Sequence, residues 1–173
     1  MGQILDRFRY WLYDLKHVPY KIKSGFKNLF RWAPIIWRDR DFDYSYLLGI
    51  MKFKLQNMIS CFDSHVENPA ASVDIRYMKI CISLIEKIES DFYDFEPCDY
   101  LEIHPSATKN DKTPTDFFKK YPGSYRKAMS DPRFSNYSKS DEGIAIAMGM
   151  VRNEKARRIL FSILNQKIQH WWF

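Results

Sequence analysis

The sequence predicts an all-α fold, a single-domain helical bundle over residues 1–173, and three observations carry that prediction. Apolar residues recur at helical spacing through several long stretches. Glycine is scarce, 6 residues against 13 Phe and 11 Tyr, and sandwiches and barrels need more turns than that allows. A hydrophobic share of 46% beside 28% charged residues supplies a core and excludes a disordered chain.

Ile4, Leu5, Phe8, Trp11, Leu12 and Leu15 repeat as one face of a helix over residues 3–16. Pro19 is expected to end or kink it, because proline lacks the N–H that the helix ladder needs. A second short helix is expected over 20–32, with Ile22, Phe26, Leu29 and Phe30 on its apolar side. Lys23, Lys27 and Arg31 line up four apart on that helix. Pro34 should stop it.

The third helix has the clearest pattern: Tyr44, Leu47, Leu48, Met51, Leu55, Met58, Ile59 and Phe62 hold a 3.6-residue period. Asp41 or Asp43 is the expected N-cap, where a carboxylate accepts orphan backbone N–H bonds. Asn68-Pro69 breaks the pattern, and Ser72 should cap a fourth helix bearing Val73, Tyr77, Ile80, Cys81, Leu84, Ile85, Ile88 and Phe92. These two helices should form an antiparallel hairpin.

Residues 97–139 hold five of the eight prolines and read as a long irregular segment with short helices near 115–121 and 123–130. Thr113-Pro114 with Asp116 looks like a helix start. Connections of this length are often functional. Ser140, Asp141 and Glu142 open a long last helix reaching about Trp172, in which Gly149 marks a bend or a close helix contact.

The net charge of +6 sits entirely in residues 1–40, which hold nine Lys and Arg against three Asp. The rest of the chain is balanced. A basic region suggests an anionic partner, such as a nucleotide, a nucleic acid, an acidic protein or a membrane surface. From Glu86 to Glu102 seven acidic residues accompany one Lys. Three widely spaced cysteines form no metal-binding pair and suit a reducing compartment. No secretory leader and no apolar run long enough to span a membrane is read in the sequence. Residues 3–32 also fit an interfacial membrane anchor, although Asp6 and Asp14 share the polar side.

Asp39, Asp41 and Asp43 alternate like the acids of a calcium loop. Tyr44 occupies the sixth position where glycine is needed, and no glutamate stands at the twelfth, so no metal and no cofactor is expected. No nucleophile elbow or Cys–His pairing appears. Glu102 and His104 could serve acid–base chemistry. Phosphate binding has the strongest support. Arginine forks hold phosphates bidentately and aromatic rings stack on bases. The stretch Trp37, Arg38, Asp39, Arg40, Asp41 and Tyr44 supplies both kinds of group, and Arg157, Arg158 and Trp171 supply them again near the other end. His104 completes the candidate ligand set, and core packing is the competing role for each tryptophan.

The motif W-x-P-I-I-W-x-D-R-D-F-D-Y at Trp32–Tyr44 resembles the signature of a widespread family of short tailed-bacteriophage proteins with no settled activity. YLLGIMKFKLQNM and the terminal ARRILFSILNQKIQHWWF resemble the same family, so the likeness covers about residues 27–65 and 155–172. The family pattern has Trp where Phe42 stands and an acidic last residue where Phe173 stands. The resemblance implies a viral protein acting in the host bacterial cytoplasm, and small proteins of that setting are often anti-defence factors. The leading expectation is therefore a non-enzymatic phage protein that sequesters a small phosphorylated nucleotide, a bacterial immune signal. Alternatives are a protein–protein module using the basic N-terminal face, and a nucleotide-degrading enzyme. Single-stranded nucleic-acid binding ranks below these, and a homo-oligomer is left open.

Overall fold

The computed structural model describes residues 2–37, 44–65, 69–101 and 113–171. Among them every regular element is helical: α1 (Gly2–Ile36), α2 (Ser45–His65), α3 (Pro69–Glu89), α4 (Phe92–Phe95), α5 (Pro114–Lys120), α6 (Pro122–Ser130) and α7 (Asp141–Lys167). Short 3₁₀ turns at Glu96–Tyr100, Pro132–Phe134 and Ile168–Trp171 complete the set. The chain divides into two compact units, Met1–Leu47 and Leu48–Phe173. No described helix is long and apolar enough to cross a membrane.

The first unit corrects the expected pair of short N-terminal helices. One 35-residue helix, α1, runs through both Pro19 and Pro34. A proline removes one ladder bond and crowds the preceding turn, so it can kink a helix without ending it when the flanking residues favour continuation. Pro34 precedes the end of α1 by two residues and behaves as the expected stop with a short overrun.

In the second unit α2 and α3 form the expected hairpin. Its antiparallel sense is fixed where Lys52, early in α2, pairs with Glu89 at the end of α3. Leu48, Leu55 and Phe62 of α2 share one buried core cluster with Met78, Cys81, Ile85 and Ile88 of α3 and with Ala156 and Leu160 of α7. Met78, Cys81, Ile85 and Leu160 are fully buried. Burial pushes the Cys81 thiol up to about 11, so it packs as a small hydrophobe. Two helix starts differ from expectation. Helix α2 begins at Ser45, two residues beyond Asp43, and Asp41 and Asp43 lie outside the described residues. Helix α3 begins at Pro69 rather than after Ser72, because proline suits the first helical position, where its missing N–H is not needed.

Asp91 adopts φ 50° and ψ 29°, the left-handed region. Short polar side chains tolerate it. It turns the chain out of α3 and into α4. Within 97–139, α5 and α6 are the two expected short helices, and the 3₁₀ turns at Glu96–Tyr100 and Pro132–Phe134 add to them. Thr113 opens α5 as read, its N–H donating to Asp116 Oδ2 at 3.0 Å. Helices α5 and α6 and the turn at Phe134 pack Phe117, Ala128 and Phe134 onto Ile144, Ala145, Ala147, Met148 and Val151, a second cluster along the first half of α7. Helix α7 therefore serves both clusters. Ser140 Oγ caps it by accepting from Gly143 N–H at 3.1 Å. Gly149 marks a close contact: a Cβ there would lie 2.5 Å from the Tyr93 carbonyl oxygen, so only glycine lets α4 approach this near.

Candidate anion-binding site

Helix α5 ends at Lys120, and α6 starts at Pro122 after one linking residue, Tyr121. The start of α6 faces α7 across a cleft of about 430 Å³, lined by Lys120, Tyr121, Pro122, Gly123, Ser124, Lys127, Val151, Lys155 and Arg158. That volume is in the range of small-ligand sites. Helical spacing places its cations: Val151, Lys155 and Arg158 follow at four and three residues, so they share one face of α7. Ser124 and Lys127 are spaced in the same way on α6. No side chain caps the start of α6 and its first turn has no acidic residue. Its positive end is therefore not neutralised locally.

Behind the cleft lies a buried polar node. Glu96, 7% exposed, is the one charged residue in the core among those described. Its Oε1 accepts from Lys120 Nζ at 2.9 Å and from the Tyr121 hydroxyl at 2.7 Å. Its Oε2 sits 2.5 Å from Arg152 Nη1, which closes a buried ion pair. The Arg152 guanidinium lies 3.7 Å from the Tyr121 ring centre, 5.2 Å from Tyr93 and 5.7 Å from Phe117, inside an aromatic cage. Burial alone would raise the Glu96 carboxyl, but hydrogen bonds from Lys120, Tyr121 and Arg152, with the Arg152 charge, outweigh it and hold it below the usual glutamate value. Hydrogen bonds to Glu96, Tyr100 and Tyr121 raise the Lys120 ammonium, so it stays charged. Burial, then the bond to Glu96, raises the Tyr121 phenol, so it stays protonated.

The node uses Lys120 and Arg152 on Glu96. The other cations of the cleft are differently placed: among the described residues, Lys127, Lys155 and Arg158 have no carboxylate within 4.0 Å. Lys127 adds only a longer-range influence on Asp131, whose carboxylate is held by Arg133. Three cations without acid partners at the start of a helix favour a bound anion. The lining has no carboxylate and no imidazole among its described residues, so the cleft presents donors rather than a general base.

Of the residues named from the sequence, Arg158 lies in this cleft. Its neighbour Arg157 is turned along α7, where its Nε donates to Asn153 Oδ1 at 3.1 Å. Trp171 is 2% exposed and packs in the first core cluster, so it is placed in the core and not on the cleft. Trp37 and Tyr44 belong to the first unit and are exposed. Arg38, Asp39, Arg40, Asp41 and His104 lie outside the described residues, as does Glu102. Sequence reasoning missed Lys120, Tyr121, Lys127 and Lys155. The available signals were Pro122-Gly123-Ser124 opening a helix without an acidic residue, and Lys155 and Arg158 one turn apart. Glu96–Arg152 had no local signal, since the partners are far apart in sequence. Comparison with protein-family models, curated proteins and solved structures finds no match.

Proposed function

We propose that this protein binds a small phosphorylated nucleotide without turning it over, and that the cleft between α6 and α7 is where it binds. The observation that carries this reading is the set of three cations, Lys127, Lys155 and Arg158, which have no acid partner among the described residues and lie beside the uncapped start of α6. A phosphate would take the bidentate fork of Arg158 and the point charges of the lysines. The exposed part of the Tyr121 ring is the group available for stacking, since Arg152 covers one side of it. The absence of a carboxylate or imidazole in the described lining favours binding over hydrolysis. With the resemblance to phage proteins, this reading extends to sequestration of a bacterial immune signal in the host cytoplasm.

Titration calorimetry against cyclic dinucleotides, ADP-ribose derivatives and inorganic phosphate tests it. Binding is expected for at least one nucleotide, and Lys155→Glu with Arg158→Glu should weaken it by about tenfold or more. A ligand recovered intact after denaturation supports sequestration. Absence of heat with every member at concentrations on the order of tens of micromolar would sink the proposal.

A further inference from the structure

Helix α1 carries a feature that the cleft does not use. Over residues 18–37 it has no acidic residue and four cations, Lys21, Lys23, Lys27 and Arg31. At about 100° per residue, Val18, Ile22, Phe26, Leu29, Ala33 and Ile36 fall within an arc of about 80°. Phe30 and Trp37 extend one edge of that arc. These side chains are exposed: Ile22 at 53%, Phe26 at 58%, Leu29 at 58% and Phe30 at 76%. Single exposed apolar residues are ordinary, but a contiguous stripe of five turns marks a surface that something covers.

We propose that residues 18–37 of α1 lie on an anionic membrane surface, with the apolar stripe in the acyl boundary and the cations at the headgroups. Charge decides between occupants. Lys21 and Lys23 flank the stripe on its two sides, and Lys27 and Arg31 lie across from it. A second copy packing stripe to stripe would bring cations against cations, with no acid in the segment to pair them. An anionic lipid surface satisfies both faces at once. The stripe is also continuous, with rings at one edge, which fits a flat surface better than the few spaced anchors that seat a helix in a protein groove. The four cations rule out a spanning role for this segment and suit a helix lying in the interface plane.

The test is flotation of the full chain with vesicles of phosphatidylcholine alone and of phosphatidylcholine mixed with phosphatidylglycerol. Binding to the mixed vesicles should be tighter by about tenfold or more and should weaken as salt rises. Phe26→Ser with Leu29→Ser should abolish binding to both vesicle types. Lys23→Gln with Lys27→Gln should remove the preference for the anionic lipid. Circular dichroism on each variant checks that helix content is retained. Three results would overturn the proposal. One is no vesicle binding by the intact chain. Another is a dimer in lipid-free light scattering that Phe26→Ser with Leu29→Ser dissociates, which gives the stripe to a second copy. The third is saturable binding of polyglutamate in place of vesicles, which gives it to an acidic polypeptide.

Discussion

Two basic regions of this molecule are built in opposite ways. Residues 18–37 of α1 display their cations on a convex helix beside exposed apolar residues, and no acid lies within the segment. The cleft of the second unit gathers Lys120, Lys127, Lys155 and Arg158 in a concavity, with a buried carboxylate directly behind them. A convex display suits a surface, because it spreads its side chains along an extended line of contact. A concave cluster suits a compact anion, because several donors reach the same point and a helix start adds to their field. Net charge along the chain reveals only the first. Residues 41–173 sum to zero, yet folding gathers several of their cations into one cleft, and among the described acids of 86–102 Glu96 alone is buried behind it.

The sharpest way to separate the regions is to remove the buried carboxylate. Glu96→Ala leaves Arg152 buried without its partner, and a loss of about 3–5 kcal/mol is expected in urea unfolding. Lys23→Gln with Lys27→Gln in α1 should change the same measurement by less than about 0.5 kcal/mol. Acid should act on the second unit through the same group. The Glu96 carboxyl is lowered in the folded state, so its contribution is complete above the unfolded glutamate value of about 4.3 and is lost as pH falls through the lower folded value. The urea midpoint should therefore decline below about pH 4, and Glu96→Ala should flatten that part of the profile.

Glycine gives a smaller contrast of opposite sign. Gly149→Ala drives a methyl into the Tyr93 carbonyl and should cost about 1–3 kcal/mol. A Cβ at Gly25 in α1 meets nothing within 4 Å, so Gly25→Ala should favour that helix by about 0.5–1 kcal/mol, visible as added helicity. The smallest effect sharpens the cleft itself. Arg157→Ala should leave nucleotide affinity within about twofold, whereas Arg158→Ala should weaken it by about tenfold. Equal losses at both positions would break the assignment of the cleft to one face of α7.

Periodicity made α2 and α3 legible, because each buries a repeating apolar face, and the opening Ser140, Asp141 and Glu142 made α7 legible. Thr113-Pro114 with Asp116 made α5 legible through its cap. Of the prolines in α1 only Pro19 misled, and for a physical reason: proline disfavours a helix locally but can kink it without ending it. Half of the cleft was also within reach, since Arg158 and the polar middle of α7 stood out. The other half was not. Glu96, Lys120, Tyr121 and Arg152 meet only after α4, α5 and α7 have packed, and no spacing rule links residues on separate elements. Aromatic side chains beside arginines drew attention to the tryptophans, yet the cage that closes on Arg152 uses Tyr93, Phe117 and Tyr121.

Lys120 stands at the border of the two environments of the second unit. Its ammonium donates inward to Glu96 and to the Tyr100 hydroxyl, while its half-exposed stem lines the cleft. An anion arriving from solvent and the carboxylate already in place thus share one cation. Linked equilibria make such sharing reciprocal: whatever occupancy does to the hold on Glu96, loss of Glu96 must do to occupancy, by the same factor. Ligand-dependent melting and ligand affinity become two views of a single coupling free energy, and a thermodynamic cycle over Glu96, with and without ligand, measures it.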